Sequence, residues 1–201
     1  MIRVLVAEDM HMIRGALVAL LSREDDMDVV AELDRGDDVV GEIARTRPDV
    51  ALLDIDMPGL DGLSAARLVH EQAPSCQVLI LTGLSQPGYL LRALQAHVRG
   101  FVVKDAPAQT LADSIRKIVA GQRVIDADLV AAALETGASP LTTRETDVLR
   151  AAETGINTEE IAQSLFLSPA TVRNYLSNAI TKIGGRNRID AIRIARNAGW
   201  L

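Results

Sequence analysis

The feature that most restricts the fold of this chain is an alternation. Over the first 120 residues, short runs rich in Val, Ile and Leu give way five times to longer segments of helical periodicity. The runs predict strands over Ile2–Ala7, Asp28–Leu33, Val50–Asp54, Val78–Thr82 and Gly100–Val103. Between them lie helical segments near residues 10–23, 36–46, 61–73, 86–96 and 107–120. Five repetitions of strand then helix predict a parallel sheet covered on both faces. Right-handed crossovers make this a doubly wound, five-stranded α/β sheet, expected in the order 2-1-3-4-5. Ligands of such sheets sit beyond the carboxyl ends of the strands, at the point where the winding reverses.

Polar side chains converge on that edge. Glu8 and Asp9 follow the first strand, Asp54 ends the third, Thr82 ends the fourth and Lys104 follows the fifth. Removing an unpaired carboxylate from water is costly, so these acids call for a partner, a metal ion or exposure. Carboxylates crowded together also repel, and their pKa values rise unless a cation joins them. Oxygen ligands from Asp9, Asp54, Glu8 and the backbone carbonyl of Asp56 suit Mg²⁺, which keeps some of its water. Beside such an ion Asp54 is placed to act as a nucleophile toward phosphorus. Thr82 then offers a hydroxyl to a phosphoryl oxygen, Gly83 leaves room beside it, and Lys104 supplies a mobile positive charge. Any one of these acids alone is an ordinary loop residue. Four matched strand ends are not.

Length and composition fit two domains with real cores. The chain has 201 residues, 48% of them hydrophobic but only 2% aromatic, so the cores are built from Val, Leu, Ile and Ala. Cys76 is the only cysteine, which excludes an intramolecular disulfide and suits a reducing compartment. The opening MIRVLVAED reaches acids too soon for a signal peptide, and no apolar run is long enough for a membrane span, so a cytoplasmic location is expected. The net charge of −6 is unevenly spread. Residues 1–140 hold 13 Lys and Arg against 21 Asp and Glu, whereas residues 141–201 hold 8 against 6. From Thr171 onward the count is 6 against 1, a polarity that suits a nucleic-acid partner for the C-terminal part.

Residues 121–140 read as a linker, with a short helix expected over Asp126–Glu135 and a break at Thr136-Gly-Ala-Ser-Pro140. The expected domains are therefore 1–121, a linker over 122–140, and 141–201. The last segment predicts four helices, over 142–154, 158–165, 169–183 and 188–198. Thr142–Glu145 and Asn157–Glu160 have capping-box spacing, and Ser168 before Pro169 is an N-cap followed by a first-turn proline. The short turn at Phe166-Leu167-Ser168 makes a compact helix-turn-helix.

In the third of these helices Val172, Leu176, Ala179, Ile180 and Ile183 form one apolar face. The other face carries Arg173, Asn174, Ser177, Asn178 and Thr181. Asn suits adenine, Arg suits guanine or phosphate, and Ser accepts several partners. Thr171 lies in the first turn, near amides that suit a phosphate, while Lys182, Arg186 and Arg188 follow at the helix end. The tight turn and the local positive charge favour a recognition helix over a merely solvated face. Trp200 reads as packing on the last helix, and His11, His70 and His97 lack metal-ligand spacing.

Residues 1–121 resemble a response-regulator receiver domain of the flavodoxin and CheY-like kind. The resemblance rests on AED, LLDIDMPGLDG, ILTG and GFVVKDAP. It implies phosphorylation of Asp54 by a partner histidine kinase, with Mg²⁺ held by Asp9, Asp54 and the Asp56 carbonyl and Glu8 assisting through water. It also implies that Thr82 and Lys104 read the phosphate and that Phe101 reports the switch by changing rotamer. Glu8 departs from the commoner Asp, and Phe101 lacks the hydroxyl of the frequent Tyr. Residues 141–201 resemble the LuxR-type helix-turn-helix, and the two halves together resemble the NarL/FixJ subfamily of transcription regulators. The wording from TVRNYLSNAITKIGG onward is most similar to its DesR-like branch, associated with kinases that sense membrane or envelope state. Tyr175 and Ser177 depart from the more usual His and Lys. The resemblance implies a homodimer on phosphorylation that binds promoter DNA, and no turnover enzyme. Asp-x-Asp also opens haloacid-dehalogenase-type phosphohydrolases, but there the acidic pair follows the Lys, whereas Glu8-Asp9 comes first here.

Overall fold

The computed structural model describes residues 1–83, 86–126, 129–131 and 139–201. The chain divides into two compact units, residues 1–85 with 92–130, and residues 131–201 with 86–91 grouped to them.

The first unit is built on strands β1 (Ile2–Ala7), β2 (Met27–Leu33), β3 (Val50–Leu53), β4 (Gln77–Thr82), β5 (Gly100–Val103) and β6 (Val124–Ile125). Helices α1 (His11–Leu21), α2 (Val39–Thr46), α3 (Gly62–Gln72), α4 (Pro87–Gln95) and α5 (Ala108–Val119) intervene. Every pairing is parallel and the order is β2-β1-β3-β4-β5-β6. The five expected strands thus stand in the expected order, and a sixth is added. β6 was hidden because two β-branched residues carry no periodicity. After α5 the chain turns at Gly121, whose φ is +83°, and the Val124 amide donates to the Arg99 carbonyl at 2.9 Å, extending the open edge of β5. The helix expected over 126–135 falls mostly outside the described residues.

Side chains alternate across the sheet. Val4 and Val6, Val50 and Leu52, Leu79 and Leu81, and Val102 share one core cluster with Leu21 of α1 and Leu111, Ile115 and Ile118 of α5. Their neighbours Leu5, Ala51, Leu53, Ile80 and Phe101 are buried too, so both faces of the sheet are covered. Arg116 on α5 ties that helix to Glu24 and Asp26 in the turn before β2.

The second unit holds α6 (Thr143–Glu153), α7 (Thr158–Ser164), α8 (Pro169–Lys182) and α9 (Arg188–Asn197). Both capping boxes form, Thr142 with Glu145 and Asn157 with Glu160. Ser168 Oγ accepts from the Thr171 amide, and Asn187 caps α9 in the same way through the Asp190 amide. Val148, Leu149, Ile161, Val172, Leu176, Ala179, Ala191 and Ala195 form the core, with Trp200 packed against it.

Candidate functional site

Four strand ends meet at the carboxyl edge of the first sheet. Asp54 directly follows β3, and its amide donates to the Ala7 carbonyl of β1 at 2.9 Å. That bond brings the end of β3 beside Glu8 and Asp9. Glu8 and Asp54 are nearly sealed from water, 1% and 6% exposed, whereas Asp9 is exposed. One carboxylate oxygen from each of the three lies within 4.8 Å of the others. Lys104, just past β5, answers this charge: its Nζ stands 2.7 Å from Glu8 Oε2 and 2.9 Å from Asp54 Oδ2. The Lys104 amide donates to the Thr82 carbonyl at 2.8 Å, locking the ends of β4 and β5 together. Thr82 itself is buried.

The electrostatics follow from that burial. Desolvation pushes the carboxyl groups of both Glu8 and Asp54 above the ordinary range, and the Lys104 ammonium counteracts it in each case. For Lys104 burial works downward, yet its bonds to Glu8 and Asp54 prevail and the ammonium is held above its usual value. The Ile55 amide donates to Asp54 Oδ1 at 2.8 Å, which fixes one oxygen and leaves the other on Lys104. Asp56 is exposed, one residue further along the loop. Three carboxylates against one ammonium leave the site net negative, a donor set of hard oxygens that fits a divalent cation such as Mg²⁺.

Two glycines shape the pocket. Among the described residues a Cβ on Gly83 would meet nothing within 4 Å, which fits the room expected beside Thr82. Gly62 is the opposite case, and the sequence reading missed it. A Cβ there would lie 1.8 Å from the Asp54 carbonyl oxygen, so α3 starts against the backbone of the acceptor strand only because this residue has no side chain. An Asp-Gly pair before a helix reads as a cap alone. Phe101, on β5, is 3% exposed and paired in register with Ile80 and Ile125. His11 contacts the Arg14 guanidinium at 3.0 Å, while His70 and His97 stack with ring centroids 4.1 Å apart.

On the second unit α8 buries Val172, Leu176 and Ala179, which leaves Arg173, Asn174, Ser177 and Asn178 exposed on its other side. Thr171 shares a hydrogen bond of 2.8 Å with Ser168 in the first turn. Lys182 is placed differently from the rest. Its Nζ lies 2.7 Å from Glu145 Oε2, a buried carboxylate of the α6 capping box. Arg186 and Arg193 hold the buried Asp190, and Arg188 donates to the Ala152 and Ile156 carbonyls at 2.8 Å. Arg173 is thus the cation of α8 that has no ion pair among the described residues.

Comparison with known proteins places each half of the chain in a family. Residues 4–116 match the response regulator receiver domain, and residues 139–195 match the bacterial regulatory proteins of the luxR family. The transcriptional regulatory protein DesR of Bacillus subtilis is 42% identical over the full length of both chains. This chain belongs to the response regulators. It is of the NarL/FixJ type and regulates transcription. The DNA-binding transcriptional activator DevR/DosR of Mycobacterium tuberculosis is 30% identical, covering 95% of this chain and 92% of its own. Among solved structures, the response regulator ChrA of a heme-sensing two-component system is 32% identical with a TM-score of 0.59, covering 100% of this chain and 98% of its own. Membership in this family replaces the phosphohydrolase alternative. Among the described residues no helix is long and apolar enough to cross a membrane.

Proposed function

We propose that this response regulator is switched by phosphorylation of Asp54, and that the phosphorylated form dimerises and binds promoter DNA through α8. The observation that supports it best is Lys104, whose ammonium bridges Glu8 and Asp54 beside the buried Thr82. An Asp54 carboxylate oxygen forms a bond to the phosphorus of a kinase phosphohistidine. The P–N bond breaks, and its electron pair returns to the imidazole, which takes a proton from solvent. Glu8, Asp9, Asp54 and the Asp56 carbonyl would hold Mg²⁺, which when bound neutralises charge on the transferring group.

The residues around the new phosphate do the rest. Lys104 exchanges its contact with the Asp54 oxygen for one with the phosphoryl group, and the Thr82 hydroxyl donates to a phosphoryl oxygen. Because Lys104 and Thr82 lie at the ends of adjacent paired strands, drawing both inward shifts β4 and β5 together, and carries with them the buried Phe101 of β5. A receiver over 1–121 and a DNA-binding domain over 141–201, joined through 122–140, then act as one cytoplasmic regulator. A single recognition helix makes few base contacts, so two half-sites read by a dimer supply the affinity. Thr171, Arg173, Asn174, Ser177 and Asn178 meet the duplex, and Lys182 sets the helix against Glu145 while reaching toward phosphate.

The test is DNA affinity with and without beryllofluoride and Mg²⁺, measured on a duplex enriched from genomic fragments. The expected result is tighter binding and a dimer on addition. Equal affinity in both states would instead make the receiver a constitutive scaffold, and affinity without salt dependence would exclude a phosphate-contacting surface altogether.

A further inference from the structure

The chain contains two phenylalanines, and they sit in opposite surroundings. Phe101 is sealed in the sheet, whereas Phe166 is 96% exposed. Phe166 lies in the turn between α7 and α8 with a φ of +55°, in the left-handed region where glycine is at home and a Cβ is disfavoured. The turn is closed by the backbone itself: the Phe166 amide donates to the Gln163 carbonyl at 3.3 Å and the Leu167 amide to the Ala162 carbonyl at 2.8 Å. Leu167 packs on the helical core, while Phe166 projects into solvent. Nothing inside the fold requires a phenyl ring here. Glycine would hold the turn with less strain, and a polar residue would suit the exposure. In a chain with only five aromatic residues, a ring kept against both preferences points to a contact outside the fold.

Its position says with what. Phe166 stands two residues ahead of Ser168, the N-cap of α8, and the N-terminal end of a recognition helix is the part that enters the major groove. The first turn of α8 presents Ser168 and Thr171 hydroxyls, good for phosphate but offering little apolar surface. We propose that the Phe166 ring docks on the apolar surface of the DNA duplex at the lip of the major groove, either deoxyribose faces or thymine 5-methyl groups. This contact rests on the reading of α8 as the recognition helix. The rival occupant, a protein such as a polymerase subunit, lacks the continuity with α8 that favours DNA.

The experiment uses full-length protein activated with beryllofluoride and Mg²⁺, and a duplex that the parent protein has selected from a random pool. Fluorescence anisotropy compares the parent with Phe166→Gly and Phe166→Leu. Phe166→Gly is expected to bind about ten-fold more weakly, a loss that Phe166→Leu partly restores. Its unfolding temperature should be no lower than the parent's, because the turn is relieved of strain. The slope of affinity against salt should stay the same, because no phosphate-neutralising charge is removed. Replacing thymine by uracil distinguishes the two surfaces: a parent-only loss assigns the 5-methyl group, and no loss assigns the sugar. Undiminished DNA affinity in Phe166→Gly overturns the proposal, and if transcription with purified polymerase then falls, the ring belongs to a protein partner. A parent that selects no duplex at all removes the α8 reading and this contact with it.

Discussion

The sheet edge and the surface of α8 use charge in opposite ways. At the sheet edge two carboxylates are buried against one ammonium that is itself only 20% exposed, so the charges are desolvated and mutually dependent. On α8 the groups facing outward are dispersed, and most cations around them are bound to the domain's own carboxylates or carbonyls. A buried charge balance can be upset by one new dianion, as the proposed switch requires. An exposed surface of dispersed groups has no such balance to upset, which suits the reading role proposed for α8. The comparison teaches that formal charge in a sequence overstates what a surface offers: of the cations beyond Thr171, Arg173 stands apart as unpaired among the described residues.

The sharpest way to break this contrast is to remove a cation from each region. Lys104→Ala should cost about 2–3 kcal/mol of stability, less than for a fully sealed pair because the ammonium is partly solvated, since it leaves Glu8 and Asp54 uncompensated. Urea denaturation of the variant checks this, and an Asp54→Asn background should recover much of the loss. An unchanged midpoint would mean the edge is wetter than its burial implies.

Lys182→Met comes next. It should destabilise the helical unit by about 1–2 kcal/mol, because the buried Glu145 loses its partner while keeping its cap. Acid should act on the same contact. Burial works upward on Glu145, but the Lys182 bond prevails and holds its carboxyl below the usual value; for Asp190 the Arg186 bond comes first and lowers it likewise. Groups with depressed folded pKa values stabilise the fold above their unfolded values, 4.5 for Glu and 3.8 for Asp, and that stability drains away as pH falls through the folded ones. Amide protection factors in α6 and α9, taken against the intrinsic rate at each pH, should therefore fall below about pH 4, and Lys182→Met should flatten the part due to Glu145.

Much of this was legible because each signal was local and periodic. The five strands announce themselves by unbroken apolar runs, and the caps at Thr142, Asn157 and Ser168 by fixed spacing. What stayed hidden depends on distance in sequence. The Lys182 pairing with Glu145 spans 37 residues and leaves no periodic trace, so the sequence does not show that this exposed lysine is also tied to a buried carboxylate of α6. Gly62 looks like a turn residue until the Asp54 carbonyl is found against it. β6 is too short to carry a pattern, and the exposure of Phe166 follows from a backbone angle that composition does not report.

The smallest structural effect belongs to Arg173→Ala. Its unfolding free energy should stay within about 0.5 kcal/mol of the parent, as for other surface changes, while DNA affinity falls and the salt slope drops by about one if the guanidinium meets phosphate. A variant that unfolds more easily would show that this arginine is structural after all.

The most direct test of the whole account is the intact mass of the protein after incubation with acetyl phosphate and Mg²⁺, alongside Asp54→Asn. The account predicts a gain of one phosphoryl group in the parent, lost on treatment with hydroxylamine and absent from the variant. A parent that gains nothing, or a variant that gains as much, would contradict it.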